Sequence, residues 1–272
     1  MTTAKLHVGD CVDVLKTLPA EHADFIMFSP PYDDLKAYDG YKFDRQTMLA
    51  LGAQCLRVAK EGAPCVIVMN DSVKNGNRSC TSLQSVLDWK ALGWYCHDLV
   101  PWLKHSTPYT TVGRMASAWE LIACMSKTKP SFIKIPTKPN RRAGAVLKRK
   151  DGTSYTVKAE GVVPNYLMLD VGKNKTQSGG LKFPHEAPYP PSLCQRFIQM
   201  WCPPNGLVLD PMMGIASTGV GTALAGEGRS FEGVDCSKRY VSWSSRRLRA
   251  TKYFSEVRTM KQSLDAAPID HT

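Results

Sequence analysis

Short apolar and β-branched runs alternate along the chain with stretches whose apolar positions recur every three to four residues. Ala23 to Phe28, Cys65 to Met69, Trp94 to Leu103, Trp119 to Met125, Leu207 to Leu209 and Phe231 to Val234 read as strands. Nearly continuous apolar runs suit strands covered on both faces, because a parallel strand with helices above and below has no side left for water. Between them Met48, Leu51, Cys55 and Val58 recur at helical spacing, as do Leu193, Phe197 and Met200. This pattern predicts an α/β fold, a doubly wound and mostly parallel sheet.

The chain of 272 residues has room for one large domain, or one plus a small module. It has no apolar run near the roughly 18 residues that a membrane helix needs, and no apolar leader follows Met1. The expectation is a soluble, cytoplasmic protein with no membrane partner. Nine cysteines are scattered through apolar surroundings without a CxxC pair, which predicts reduced, buried thiols and no metal site.

The net charge of +11 changes the picture because it is localised. Residues 127–182 hold thirteen basic against three acidic side chains, whereas the rest of the chain holds 22 against 21. The segment is rich in Pro, Gly, Lys and Asn, with strand-like runs such as Ser154 to Val157, and reads as an appended module outside the regular sheet. A polyanion is the partner such a concentration favours, since each neutralised phosphate releases counterions. Residues 1–126 and 183–272 then form the two halves of one α/β body, with the basic insertion between them. Lys138, Arg141, Arg142, Lys148, Arg149 and Lys150 are its candidate contacts to nucleic acid, and a plain solvated loop is the alternative.

In doubly wound sheets ligands collect beyond the carboxyl ends of strands. After Leu209 the chain reads Asp210-Pro211-Met212-Met213-Gly214-Ile215-Ala216-Ser217-Thr218-Gly219, and Val220 to Leu224 follow with a helical pattern. Gly214 permits a tight turn beneath a ligand, and Ser217 and Thr218 are expected to cap the helix and offer donors to a carboxylate. Asp235 ends the next strand, 21 positions beyond Gly214, where an acid can accept both hydroxyls of an adenosine ribose. A plain helix cap is the alternative for Asp235. A dinucleotide would need a second glycine for its pyrophosphate, which this loop lacks, so S-adenosylmethionine is the favoured cofactor.

The third strand end is Ser29-Pro30-Pro31-Tyr32. Consecutive prolines fix two φ angles and withhold two amide donors, leaving a hydroxyl, a rigid carbonyl and an aromatic ring close together. The oxygens can accept the hydrogens of an exocyclic amine while the ring stacks on a base. A simple turn with a surface tyrosine is the alternative.

This tetrapeptide resembles the catalytic motif of DNA amino-methyltransferases, and Asp210 to Gly219 is similar to their donor-binding motif. His185-Glu186-Ala187-Pro188-Tyr189-Pro190 and the helix from Ser192 to Trp201 resemble the segment that holds the methionine end of the donor. Gly9-Asp10-Cys11, followed by Leu15 to Pro19, is like their amino-terminal signature, whose acid lies near the donor adenine. Trp102-Leu103-Lys104 and Trp119-Glu120-Leu121 stand where later sheet motifs are found. The motif order, with the tetrapeptide before the insertion and the donor loop after it, resembles the permuted β group.

The resemblance implies a seven-stranded methyltransferase sheet with residues 127–182 as a target-recognition region. Catalytic Ser29, Pro30, Pro31 and Tyr32 would receive a base flipped from duplex DNA, with no covalent intermediate. The donor would be held by Asp10, His185, Pro188, Asp210, Pro211, Met212, Gly214, Ser217, Thr218 and Asp235. Ser at the first position is commoner among enzymes acting on cytosine N4, and Asp among those acting on adenine N6, so N4 is expected and N6 is the alternative. A homodimer, and a restriction endonuclease as functional partner, are further implications. Attack by a thiolate on cytosine C5 is disfavoured, because Cys65 opens an apolar strand. The chain departs from the usual Gly-Ser-Gly turn at Ala216, whose Cβ would weaken donor binding if that residue takes positive φ. A noncatalytic nucleic-acid binder and a small-molecule oxidoreductase are the competing classes.

Overall fold

The computed structural model describes residues 2–31, 43–104, 113, 115, 117–169 and 189–260. In chain order the elements are β1 (Thr2–Val8), α1 (Cys11–Thr17), β2 (Phe25–Phe28), α2 (Arg45–Val58), β3 (Pro64–Met69), a hairpin of β4 (Val73–Lys74) and β5 (Asn77–Arg78), α3 (Thr81–Ala91), β6 (Tyr95–Leu103) and β7 (Trp119–Ser126). The insertion contributes β8 (Thr137–Pro139), β9 (Val146–Lys148), β10 (Ser154–Thr156), β11 (Glu160–Val162) and β12 (Leu167–Met168). There follow α4 (Pro191–Trp201), β13 (Leu207–Asp210), α5 (Ser217–Ala225), β14 (Ser230–Asp235), α6 (Lys238–Ala250) and β15 (Phe254–Met260).

Among the described residues nine strands form one sheet in the order β12-β6-β7-β3-β2-β13-β14-β1-β15. β7 runs antiparallel to both neighbours, and every other pair is parallel. The seven contiguous strands from β6 to β1 are the expected sheet, and β12 and β15 extend its two edges. The expectation that the insertion stands outside the sheet is corrected at Leu167 and Met168, which pair with Trp102 and Leu103 of β6.

Alternation explains the continuous apolar strands. Phe25 and Met27 of β2 and Val66 and Val68 of β3 pack with α4, α5 and α6. Ile26 and Phe28, with Cys65, Ile67 and Met69, pack on the opposite face with α1, α2 and α3. Each such side chain contributes roughly 1.5–3 kcal/mol on burial, so both faces of the central strands must be apolar. Cys65 is among them, fully buried in mid-sheet, and burial raises its thiol pKa well above the ordinary value. Six of the nine cysteines are buried. Among the described residues no helix is long and apolar enough to cross a membrane.

Helix α4 starts with Pro191 at its first turn, where the missing N–H costs nothing, and buries Leu193, Phe197 and Trp201. It lies so close to α5 that a Cβ on Gly221 would sit 2.4 Å from Cys194 Cβ and 2.9 Å from the Pro191 carbonyl. That contact seats the residues just before α4 against the loop after β13.

Candidate active site at the carboxyl edge of the sheet

Strands β2, β13, β14 and β1 are parallel neighbours, so their carboxyl ends open on one edge. Register pairs Ile26 with Leu209, Asp210 with Gly233, and Val8 with Asp235. Counting on from these pairs, Ser29, Met212 and Asp235 stand at one height, with Ser29 and Asp235 two strand spacings, roughly 10 Å, apart. Ser29 and Pro31 are part-buried and Pro30 is buried. Tyr32, His185 and Pro188 lie outside the described residues.

Asp210 is the electrostatic centre of this edge. Its carboxyl is fully buried, and Oδ2 accepts from Thr218 Oγ1 at 2.6 Å and from Tyr189 Oη at 3.2 Å, while Oδ1 accepts from Met212 N at 2.9 Å. Burial raises its pKa from 3.8 to about 7 against the opposing pull of those donors, and the nearby Asp235 charge adds to the rise. The Tyr189 hydroxyl is pushed well above its ordinary value, by burial first and then by Asp210. It also lies 2.6 Å from Thr218 Oγ1, closing a buried triangle. No cation among the described residues pairs with Asp210, so the edge contains a buried acid suited to a positively charged ligand.

The loop after Asp210 is pinned on both sides. Asp235 Oδ2 accepts from Gly214 N at 2.9 Å, and its Oδ1 from Ser237 N at 2.8 Å. Asp235 therefore spans the loop and the start of α6, whose cap is Ser237. Gly214 has φ +51° and Ala216 has φ +56° with ψ +46°, so the positive φ feared at Ala216 is present, in a residue with no exposed surface. The cap expected from Ser217 and Thr218 is corrected: Ala216 occupies that position and offers no side-chain bond. Thr218 turns back to the protein's own carboxylate at Asp210, and Ser217 meets Arg247. Pro211 is buried and Met212 part-buried at the mouth of the turn.

From below, α6 supplies groups that the sequence reading did not assign. Arg247 is fully buried and donates through Nη1 to Ile215 O at 2.8 Å and Ser217 Oγ at 3.2 Å, while Ser244 Oγ donates to Gly214 O at 2.7 Å. Burial lowers the guanidinium pKa to about 10. Its Nε and Nη2 have no hydrogen-bond partner among the described residues. The i, i+3 spacing of Ser244 and Arg247, on the helix face that also buries Val241 and Leu248, is the signal that could have found them.

Asp10 caps α1, with Oδ1 accepting from Val12 N at 2.8 Å and Asp13 N at 3.2 Å, and Gly9 N donates to Asp235 O at 3.0 Å. The structure thus gathers Ser29, Pro30, Pro31, Asp10, Asp210, Pro211, Met212, Gly214, Ser217, Thr218 and Asp235 along one edge. Lys138, Arg141, Arg142, Lys148, Arg149 and Lys150 lie elsewhere, all exposed, on β8, β9 and their connecting turns.

Comparison with known proteins agrees with this architecture. The orphan methyltransferase M.BamHII of Bacillus amyloliquefaciens is 28% identical over 258 residues, covering 90% of this chain and 92% of that protein. The DNA adenine methyltransferase YhdJ of Escherichia coli K12 is 26% identical over 267 residues, 91% of this chain and 83% of the relative. Among solved structures, the PvuII DNA methyltransferase (cytosine-N4-specific) shares the fold with a TM-score of 0.67 at 18% identity, covering 94% of this chain and 95% of that one. Two other matching structures were solved with S-adenosylmethionine. The DNA methylase family matches residues 23–246, and with most of its length inside that match the chain belongs to the DNA methylases.

Proposed function

We propose that the chain transfers a methyl group from S-adenosylmethionine to the exocyclic N4 of a cytosine flipped out of duplex DNA. The observation that carries this reading is the rigid Ser29-Pro30-Pro31 turn ending β2, two strands from Asp235 and beside the strand that ends in buried Asp210. S-adenosylmethionine, when bound, supplies an electrophilic methyl on a sulfonium. Asp210 would complement the donor's positive charge from its buried position, Asp235 would accept from the ribose hydroxyls, and Asp10 would serve the adenine end. His185 and Pro188 are assigned to the methionine end from the sequence motif alone.

On the substrate side the Ser29 hydroxyl and the Pro30 carbonyl accept the two hydrogens of the amine. Both bonds draw the nitrogen lone pair out of conjugation with the ring, and Tyr32 is assigned the stacking contact. The nitrogen–carbon bond forms as the carbon–sulfur bond breaks, and the proton then leaves to water because methylation makes the nitrogen more acidic. Ser29 acts as a hydrogen-bond acceptor and stays protonated throughout.

Serine at the head of the tetrapeptide favours cytosine N4. The E. coli adenine methyltransferase among the relatives is the observation that favours adenine N6 as a second reading. Nucleoside mass spectrometry on plasmid DNA incubated with the protein and the donor distinguishes them: N4-methylcytosine supports the first, N6-methyladenine replaces it with the second, and neither product refutes both.

A further inference from the structure

Residues 136–163 build a structure that the edge site does not use. β8 pairs with β11, and β9 with β10, both antiparallel. Hydrogen bonds from Asn140 N to Ala159 O (2.8 Å), Gly144 N to Val157 O (2.9 Å) and Val157 N to Ala145 O (2.9 Å) join the two pairs into a single ribbon. Its return arm runs from Thr153 to Val163, about 33 Å at roughly 3.3 Å per residue. The outgoing arm carries a side loop with Arg141 and Arg142, and the tip turns at Arg149, whose N donates to Thr153 O at 2.7 Å.

No residue of the ribbon is buried. A lone two-stranded ribbon is marginal in water, so this one has no core to fix its composition. It nevertheless holds seven basic residues against two acidic ones. Both acids serve the ribbon itself: Asp151 accepts from Thr153 N and Oγ1, and Glu160 accepts from Thr137 Oγ1. Among the described residues no carboxylate pairs with any of the seven cations.

The two faces differ in chemistry. Pairing sets Lys148 opposite Ser154, Leu147 opposite Tyr155 and Val146 opposite Thr156. With the period of two, one face presents Val146, Lys148, Ser154, Thr156 and Lys158. The other presents Leu147, Tyr155 and Val157, and there the Arg149 guanidinium stacks 4.9 Å from the centre of the Tyr155 ring. The first face consists of residue types that read base edges: lysine for guanine O6 and N7, hydroxyls for any base, and valine for a thymine methyl. A major groove about 12 Å wide admits a two-stranded ribbon, and there each base pair presents a distinct pattern for such side chains to read, whereas the minor-groove pattern is degenerate.

We propose that the ribbon lies in the major groove of the target DNA, with Lys148, Ser154, Thr156 and Lys158 toward the base edges and Arg141, Arg142 and Lys150 against phosphates. The inference rests on the DNA methyltransferase reading above and adds to it the element, the groove and the face that select the sequence.

The test uses the full chain and a duplex containing the site that the wild-type protein methylates in plasmid DNA. Fluorescence anisotropy gives the ratio of the Kd for a scrambled duplex to the Kd for that one. Combining Lys148→Ala with Thr156→Val is expected to lower this ratio at least about tenfold while binding of S-adenosylmethionine and Tm stay unchanged. Arg141→Gln with Arg142→Gln is expected to weaken both duplexes alike and to reduce the slope of log Kd against log salt by about two. An unchanged ratio in the first pair overturns the proposal.

A second measurement needs no variant. Site DNA with 7-deazapurines, which lack the major-groove N7 acceptors, is expected to bind wild-type protein at least about tenfold more weakly, and netropsin in the minor groove to have no effect. The reverse pattern overturns the proposal even if the variants fold poorly. A wild-type protein that methylates no duplex DNA fails differently, by refuting the reading on which the inference rests.

Discussion

Asp210 gives the structure a measurable pH signature. Its carboxyl is buried, and its pKa is raised from 3.8 to about 7. The folded protein therefore holds this proton more tightly than the unfolded chain, so the group's stabilising contribution is complete below pH ~4 and is lost as pH rises through 7. Integrating between those two values gives on the order of 2.7 kcal/mol more stability at pH 5 than at pH 8 from this residue. For a chain of this size that corresponds to roughly 5–11 °C in Tm. The assay is thermal unfolding of the donor-free protein, followed by circular dichroism across that range, for wild type and Asp210→Asn. Asparagine does not titrate, so the variant should lose most of the slope. Glu232 does not interfere, because bonds from His7, His22 and Lys5 overcome its burial and hold it at about 2; its contribution is lost only as pH falls below about 4.5. Equal slopes in wild type and variant would refute the assignment of a buried, partly protonated acid. A cationic donor should also expel the proton, so calorimetry near pH 6.5 in buffers of different ionisation heat should detect net proton release on S-adenosylmethionine binding by wild type and none by the variant.

Other positions give sharper mutational tests. Ala216→Val places a β-branched residue at φ +56° in a buried turn and is expected to destabilise by at least ~2 kcal/mol in urea unfolding, whereas Ala216→Gly should be neutral or slightly stabilising. Gly221→Ala forces a methyl into Cys194 and the Pro191 carbonyl and should cost about 1–3 kcal/mol, with α4 pushed off α5. Arg247→Met removes a buried charge whose Nε and Nη2 lack partners among the described residues, so Tm should change little; loss of the bonds to Ile215 and Ser217 should weaken donor binding about tenfold in calorimetry.

Much of this architecture could be read from the chain because the central strands are apolar on both faces. The two strands at the β15 end of the sheet were hidden by the opposite property. β1 buries Ala4 and Leu6 but turns Thr3, Lys5 and His7 away from that core, and β15 carries mostly exposed polar residues, so neither forms an apolar run. Helix α6 escaped because half of its inward face is Ser244 and Arg247, which look like surface residues until the loop they hold is in place. The turn after β13 was legible through Gly214 and Asp235, whose turn chemistry and 21-residue spacing are local facts. Tyr189 and Thr218 were not legible as partners of Asp210, since their contacts join elements 21 and 8 residues away in sequence. In the insertion, composition revealed the charge, but strands of three residues give no period from which the ribbon's pairing could be inferred.

The most direct test of the account is single-turnover transfer of a tritiated methyl from S-adenosylmethionine to duplex DNA, at saturating DNA and donor, comparing wild type with Ser29→Ala. Loss of an oxygen that activates the amine predicts a transfer rate lower by about a hundredfold or more, with donor affinity unchanged. Transfer by the alanine variant at the wild-type rate would contradict the claim that the turn after β2 is where the base amine meets the methyl group.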